Sequence, residues 1–261
     1  MDTQTRRSTH PSLLKEDPVD IVAQQPNINR GMCPAGGGDR PVTIVTLDDP
    51  APPIAATVST GGSEFWKRAF DLTTSIVLLV LLLPLLAVVS LLVKITSPGP
   101  VFFRQVRTGK NGSTFVIWKF RTMRADAERI LEQDERLKAE FSRQWKLESD
   151  PRITPLGRIL RKTSIDELPQ LFNVLRGEMS MVGPRPVQPA ELEEHYGRYA
   201  SIVFSVKPGV TGLWQVAGRS SVSYEERVAL DLEYIKRRNG WYDLLLVILT
   251  IPAVLMMKGA S

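Results

Sequence analysis

The sequence contains very little cysteine and histidine, and this scarcity excludes several kinds of site. One cysteine, Cys33, allows neither an intramolecular disulfide framework nor a cysteine-based zinc site, and it fits a reducing, cytoplasmic environment. The two histidines, His10 and His195, have no partners at catalytic or metal-binding spacing, which argues against a serine–histidine or zinc mechanism. We interpret His195 as a surface helix residue. Neither a Walker lysine motif nor a glycine-rich dinucleotide fingerprint occurs.

Aromatic residues are absent from residues 1–63, which hold 8 of the 19 prolines and the run Gly36-Gly37-Gly38. Five basic and seven acidic residues there leave a net charge of +7 for residues 64–261. Such a segment cannot bury enough apolar surface to offset its ordering entropy, so we predict a disordered tail. Within it, only the stretch Val42–Leu47 has the composition of a strand. A secretory signal peptide is not expected, because the long apolar run begins only at Leu72.

One long apolar run is present, Leu72–Val93, with 22 residues and no charge. About 20 such residues suffice for a helix to cross the hydrocarbon core of a bilayer. Phe65, Trp66, Lys67 and Arg68 precede it and form an aromatic and basic anchor typical of headgroup level. The run also lacks a polar face, so we predict a membrane-associated helix rather than a buried core helix.

Whether this helix crosses the bilayer is left open by the residues alone. Basic residues lie on both sides of it, so the positive-inside rule does not select an orientation. Pro84 removes one helical hydrogen bond near the middle and predicts a kink. A kinked helix that re-enters the same leaflet and an ordinary spanning helix with a tolerated proline both fit.

The remaining chain predicts an α+β, mostly helical, membrane-associated protein. Alternation predicts a small β-hairpin from Val101–Val106 and Thr114–Arg121, and charge-rich helical spacing predicts one solvated helix over Thr122–Leu147. The run Tyr242–Met257 predicts a carboxyl-terminal helix, either packed on the domain or interfacial, with a second span as the alternative. The predicted parts are a tail at 1–63, a membrane-inserted helix at 64–96 and a cytoplasmic catalytic domain at 97–261.

Two adjacent carboxylates, Asp166 and Glu167, precede apolar residues at helical spacing that end near Gly177. We therefore expect the pair at a helix amino terminus, with the helix beginning near Asp166. Ser164 and Glu167 also match a capping box, and acidic residues in a first turn are favoured by the helix dipole. These residues alone therefore favour a structural role over a catalytic one.

The basic residues near the two carboxylates in the sequence outnumber them: they are Arg158, Arg161, Lys162, Arg176 and Arg185. Pro184 and Pro186 would fix the backbone of Arg185 and so present its side chain rigidly. Guanidinium groups bind phosphate oxygens bidentately. The surplus of positive charge indicates that a phosphate-bearing anion completes the site.

Motifs across residues 65–260 resemble the bacterial monotopic phosphoglycosyl transferases, the sugar transferases that initiate exopolysaccharide assembly. The matching pieces are Asp150–Arg158, Asp166-Glu167, Gly183–Pro186, Lys207–Gly212 and Gly218-Arg219. The resemblance implies that Asp166 attacks the β-phosphorus of a UDP-sugar and that Glu167 assists as a base. It also implies phosphate or nucleotide binding by Arg161, Arg185 and Arg219, and Mg²⁺ held by Asp166.

The resemblance further implies undecaprenyl phosphate as the lipid acceptor, release of UMP, and a place on the cytoplasmic face of the bacterial inner membrane. It implies a re-entrant helix, although Leu83 stands where the family often has a serine before the proline. Alternatives from other classes are a non-catalytic membrane anchor or assembly protein, and a glycosyltransferase that releases UDP. The positive charge is ascribed to the lipid bilayer rather than to nucleic acid. The hexose, with galactose or glucose as the expectation, and the oligomeric state are left open.

Overall fold

The computed structural model describes residues 61–144, 147, 149–217 and 222–255. The predicted tail lies outside these residues except for its last three positions, and the predicted strand Val42–Leu47 lies outside them entirely. Arg219, one of the predicted phosphate ligands, is also outside the described residues.

The described chain is mostly helical, as predicted. Its α-helices in chain order are α1 (Gly61–Thr96), α2 (Ala127–Gln133), α3 (Glu135–Gln144), α4 (Pro155–Lys162), α5 (Gln170–Arg176), α6 (Pro189–His195), α7 (Ala200–Val203), α8 (Leu213–Ala217), α9 (Tyr224–Arg237) and α10 (Gly240–Leu255). Short 3-10 turns occur at Lys110–Gly112, Ile165–Glu167 and Gly197–Tyr199.

Two small sheets accompany these helices. Strands β1 (Phe102–Thr108) and β2 (Thr114–Phe120) pair antiparallel in the register Phe102↔Phe120 to Thr108↔Thr114, which confirms the predicted hairpin. Strands β3 (Ser180–Val182) and β4 (Gly209–Thr211) pair in parallel, with Ser180 opposite Gly209. The pairing of β3 with β4 brings together two short segments that are distant in sequence.

The single helix predicted for Thr122–Leu147 is wrong, because α2 and α3 are separate helices. Asp134 lies between them in an extended conformation. Its carboxylate accepts hydrogen bonds from the backbone N–H groups of Arg136 and Leu137, at 2.9 and 3.2 Å. Aspartate at such a position satisfies the free donors of a helix start, and here it begins a new helix instead of continuing the old one.

Helix α1 is the one helix of the described residues that is long and apolar enough to cross a membrane. Only 17% of its most apolar window is buried within the protein. Its covered side chains, among them Leu86, Val89 and Val93, pack with Phe120 of β2 and Leu160 of α4. The other side chains of α1 leave a broad apolar surface exposed, and this long apolar helix is compatible with the predicted membrane association.

The start of α1 is joined to the domain by a buried polar network. Lys67 contacts the carboxylates of Asp71 at 2.9 Å and Asp243 at 3.1 Å, and it also donates to the Ser180 hydroxyl. Tyr234 of α9 donates to Asp243 at 2.9 Å. The network ties α1 to β3, α9 and α10. Lys67 therefore bonds to the protein rather than serving as the headgroup anchor that its sequence context suggested.

Candidate active site

Helix α4 places Arg161 against the segment that follows the hairpin. Thr154 caps the helix, since its side chain accepts a hydrogen bond from the Gly157 N–H at 2.9 Å. A Cβ at Gly157 would lie 1.9 Å from the carbonyl oxygen of Thr122, so only glycine allows this close approach. Arg161 Nε then donates to the Thr122 hydroxyl at 2.9 Å. The close approach of Gly157 to Thr122 and the hydrogen bond from Arg161 to Thr122 together fix the position and direction of the Arg161 side chain.

The two carboxylates lie on a 3-10 turn before helix α5, rather than in the first turn of that helix. Leu168 N–H donates to the Ile165 carbonyl at 3.2 Å in the 3-10 pattern. Pro169 has no N–H to continue the ladder, and the α-helix begins at Gln170. The prediction that the helix begins near Asp166 is therefore wrong in this respect. Gly177 ends α5 in a left-handed conformation, as predicted.

The capping-box alternative fails at Ser164. This residue has a φ of 56° in the left-handed region, and its side chain makes no capping hydrogen bond. A left-handed conformation is uncommon for serine and costs about 1 kcal/mol or more. Strain of this kind persists where surrounding structure enforces it, and it often marks functional sites. Here it sets the direction of the turn that carries both carboxylates.

Asp166 is buried, with 8% of the residue exposed, and forms no salt bridge with any described residue. Burial, together with the charge of Glu167, raises its pKa to about 6, although Lys119 and Arg161 pull in the opposite direction. This carboxylate is therefore mostly ionised at neutral pH while being more basic than an ordinary aspartate. Such a group suits nucleophilic attack on phosphorus.

Glu167 is in a different electrostatic state. Burial alone would raise its pKa, but the charges of Lys119 and Arg185 outweigh burial and lower the pKa to about 2. Lys119 Nζ lies 2.6 Å from a Glu167 carboxylate oxygen. A short charge-assisted hydrogen bond of this kind fixes both side chains. The adjacent carboxylates thus lie in different electrostatic environments: Glu167 is ion-paired with Lys119, whereas Asp166 forms no salt bridge with a described residue.

Arg185 projects from a loop held between β3 and β4. Gly183 N–H donates to the Thr211 carbonyl at 2.9 Å, and Gly209 N–H donates to the Pro184 carbonyl at 2.8 Å. A Cβ at Gly209 would lie 2.1 Å from the Gly183 nitrogen, so the two backbones meet at a distance only glycine permits. Arg185 enters a cleft that is also lined by Lys119, Glu167, Gln170 and Gln215.

The structure brings together four of the predicted site residues: Arg161, Asp166, Glu167 and Arg185. It does not bring Arg158, Lys162 or Arg176 to them. The first two are exposed, and the Arg176 guanidinium lies 5.2 Å from the Trp118 ring centroid. His195 is stacked on Tyr224 with centroids 3.8 Å apart, so it is a packing residue rather than a plain surface residue.

Lys119 is the functional candidate that sequence reasoning missed. It is one polar residue in an alternating strand, and such a position normally indicates a solvated face. Its partner Glu167 lies 48 residues away in the sequence. Only the packing of β2 beside the 3-10 turn reveals the pair.

A buried carboxylate with a raised pKa, an ion-paired neighbour and two guanidinium groups form an arrangement that can bind a phosphate group and attack it. No cluster of three or more histidine, cysteine, aspartate or glutamate residues is found in the described part of the chain.

Comparisons with known proteins identify the family of this chain. The family model described as bacterial sugar transferase matches residues 62–257. The exopolysaccharide production protein ExoY of Rhizobium meliloti (strain 1021) is 45% identical over 198 residues, which cover 74% of this chain and 87% of ExoY. The undecaprenyl-phosphate galactose phosphotransferase of Salmonella typhimurium is 43% identical over 203 residues, covering 76% of this chain and 42% of that protein.

The UDP-glucose:undecaprenyl-phosphate glucose-1-phosphate transferase of Escherichia coli (strain K12) is 39% identical over 218 residues, covering 81% of this chain and 45% of that protein. The chain thus spans less than half the length of the Salmonella and Escherichia relatives, but most of the length of ExoY. Because the family model covers most of the sequence, the resemblance seen in its motifs is confirmed, and the chain belongs to the bacterial sugar transferases, a family of enzymes.

Proposed function

We propose that this protein transfers a hexose-1-phosphate from a UDP-sugar to undecaprenyl phosphate, releases UMP, and performs the first membrane step of exopolysaccharide synthesis. The Salmonella and Escherichia relatives are named for the transfer of galactose phosphate or glucose-1-phosphate involving undecaprenyl phosphate. A neutral hexose donor, UDP-galactose or UDP-glucose, is the substrate we infer from those names.

The observation that carries the proposal is the unequal environment of two adjacent carboxylates. Glu167 is ion-paired with Lys119, whereas Asp166 is buried without a salt bridge and has a raised pKa. A purely structural pair at a helix start would be stabilised by capping or by the helix dipole, and Ser164 makes no such cap. A buried carboxylate that forms no salt bridge with a described residue and lies within the electrostatic reach of Lys119 and Arg161 has the properties of a nucleophile for a bound phosphate.

In the proposed first step, an Asp166 carboxylate oxygen bonds to the β-phosphorus of the donor. The bond between that phosphorus and the bridging oxygen breaks, and its electron pair leaves with UMP. Arg161 and Arg185 bind the phosphate oxygens and hold the donor in line. The hexose phosphate then remains on Asp166 as a mixed anhydride.

In the second step, a phosphate oxygen of undecaprenyl phosphate attacks the phosphorus held on Asp166, and the aspartyl oxygen leaves as a free carboxylate. The resemblance implies Glu167 as a base here, but a carboxylate with a pKa of about 2 accepts protons poorly. A phosphate monoester has a second pKa of about 6 and is already largely dianionic at neutral pH. We therefore propose that Glu167 mainly positions Lys119 toward the phosphate groups.

Mg²⁺ fits the donor set of this site. It prefers hard oxygen ligands and is usually held by one or two carboxylates together with substrate phosphates and water, which requires no cage made by protein alone. Asp166 would hold it. When bound, the ion neutralises phosphate charge during transfer.

We also propose that α1 enters and leaves the same leaflet. Both of its ends contact one domain: Asp71 accepts a hydrogen bond from Ser180 at 3.0 Å, and the Ser97 carbonyl just after the helix accepts one from Arg121 at 2.5 Å. Helix α1 continues through Pro84 as one helix in this structure, so the support for this placement is the domain shared by both ends and not an observed bend. Pro84 lies in the intervening exposed region, where a break would place the bend in lipid.

Helix α10 supports the same placement, and we propose that it lies at the bilayer interface. Trp241 at its start is 82% exposed, and Ile248 and Ile251 are more than half exposed. With 16 residues it is shorter than a usual span. Its ion contact with Lys67 through Asp243 keeps it beside the start of α1. The catalytic cleft would then lie at the cytoplasmic surface of the inner membrane, where a soluble donor and a lipid acceptor meet.

The products of the reaction test the proposal. Membranes that contain the full-length protein are incubated with Mg²⁺, undecaprenyl phosphate and, in separate reactions, UDP-galactose, UDP-glucose, UDP-N-acetylglucosamine or UDP-glucuronate. We expect UMP and a lipid-linked hexose diphosphate from a neutral hexose donor. Release of UDP would indicate a glycosyltransferase, and no nucleotide release from any donor would indicate an anchor or assembly protein.

A further inference from the structure

Two arginine side chains flank the same buried indole beside the cleft. The guanidinium carbons of Arg185 and Arg227 lie 5.2 and 5.0 Å from the ring centroid of Trp214. Trp214 is only 4% exposed. Because both distances share one centroid, the two guanidinium groups are at most about 10 Å apart. Arg185 lines the cleft with Glu167, and Arg227 of helix α9 lies beyond it.

Neither guanidinium forms a salt bridge with a carboxylate of the described residues, although the charge of Arg185 helps to lower the pKa of Glu167. Arg227 Nε donates a hydrogen bond to the Val222 carbonyl at 3.2 Å, and the guanidinium carbon lies 4.8 Å from the Tyr224 ring centroid. Arg227 forms no salt bridge with any described residue. Glu191 is engaged by Arg107 at 3.5 Å and by the Tyr224 hydroxyl at 3.0 Å. Glu191 is therefore held by other partners, and Arg185 shares the charge of Glu167 with Lys119, so the two arginines together keep an excess of positive charge.

The buried Asp231, which interacts electrostatically with both arginines, does not offset this charge. Asp231 is fully buried, and burial raises its pKa to about 8 despite the hydrogen bond from Tyr196 and the charges of Arg185 and Arg227. It is mostly neutral at pH 7. Two guanidinium groups that lie beside one indole and form no salt bridge with a described residue can bind a multiply charged anion.

Building on the proposed function, we propose that Arg227 binds the α-phosphate of the nucleoside diphosphate, the phosphate that leaves as part of UMP, while Arg185 bridges toward the β-phosphate. When Asp166 bonds to the β-phosphorus, the bond to the bridging oxygen breaks and that oxygen keeps the electron pair. UMP therefore carries one more negative charge than the α-phosphate did in the donor. Arg227 faces this developing charge, and Trp214 holds its guanidinium in position.

The test compares Arg227→Gln with a matched control on the same helix, Arg237→Gln. Arg237 is exposed and forms a salt bridge with Glu233 one turn earlier on the same helix. It is not one of the two arginines that contact Trp214. The measurements on full-length protein in membranes are the inhibition constant of UMP, the KM for the UDP-hexose donor, and kcat per folded molecule. Arg227→Lys is the second variant, because it keeps the charge while losing the planar fork.

We expect Arg227→Gln to weaken UMP inhibition by about 10- to 100-fold, the loss typical of a charged hydrogen bond, and to lower kcat/KM by a similar factor. The UMP inhibition constant of Arg227→Lys should lie between those of Arg227→Gln and wild type. The UMP inhibition constant of Arg237→Gln should match the wild-type value. Wild-type UMP inhibition in folded Arg227→Gln would overturn the inference and reduce Arg227 to a packing residue, while leaving the proposed function standing. Wild-type enzyme that neither releases nor binds UMP would overturn the proposed function and this inference together.

Discussion

Replacement of Asp166 by asparagine should stabilise the folded protein while abolishing turnover. Asparagine keeps the shape of the side chain and removes a charge that is unfavourable in its buried position. A pKa raised from 3.8 to about 6 corresponds to about 3 kcal/mol, at 1.36 kcal/mol per pKa unit. This is the order of magnitude by which the ionised carboxylate lowers the free energy of unfolding at neutral pH.

The gain depends on pH in a direction that the raised pKa determines. Between about pH 4 and pH 6 the folded state still holds the proton that the unfolded chain has lost, so wild-type stability falls as pH rises through this window. The asparagine variant has no such loss. Its advantage over wild type should therefore be small near pH 4 and reach its full size above pH 7.

Thermal unfolding in a mild detergent, at pH 4.5 and pH 7.5, measures this difference. For a domain of roughly 200 residues, 3 kcal/mol corresponds to a rise in Tm of roughly 5–10 °C. A helix-capping role for Asp166 predicts the opposite sign, a loss of up to about 1 kcal/mol. A lower Tm for Asp166→Asn than for wild type at pH 7.5 would refute the reasoning.

Further predictions concern Glu167, Lys119, Asp71 and the amino-terminal segment. Glu167→Gln should lower the Tm at neutral pH, the reverse of Asp166→Asn, because its lowered pKa means that ionisation stabilises the fold above pH 4.5; equal shifts in both variants would contradict this. Lys119→Met should reduce UMP release as severely as Glu167→Gln, and near wild-type release would remove Lys119 from the site. Asp71→Asn should destabilise the fold by about 3 kcal/mol or more, because it breaks a buried ion-pair network, and an unchanged Tm would show the network to be dispensable. Deletion of residues 1–60 should retain most UMP release, and a folded, membrane-bound but inactive truncation would contradict that expectation.

Local sequence patterns were sufficient for the elements whose structure depends on nearby residues. The hairpin followed from alternation on both sides of a glycine-containing turn, and α1 followed from 22 uncharged residues. The end of α5 followed from Gly177. In each case the determining interactions lie within a few residues, so a linear pattern carries them.

Other features depend on contacts between distant segments, and no linear pattern predicts them. Lys119 meets Glu167 only because β2 packs beside the 3-10 turn, and Lys67 meets Asp243 only because α10 returns to the start of α1. Arg227 looks like one charge on a polar helix face until Trp214 is placed against it. The left-handed conformation of Ser164 is likewise imposed by its surroundings, since serine has no intrinsic preference for it.

A covalent hexose phosphate on Asp166 is the central claim, and a trapping experiment tests it most directly. The full-length protein is incubated with Mg²⁺ and a UDP-hexose labelled in the sugar, without any lipid acceptor, then denatured and separated from free nucleotide. We predict label retained on the wild-type protein, released when undecaprenyl phosphate is added before denaturation, and absent from folded Asp166→Asn. Full turnover by Asp166→Asn, or wild-type turnover with no label ever retained on the protein, would contradict the account.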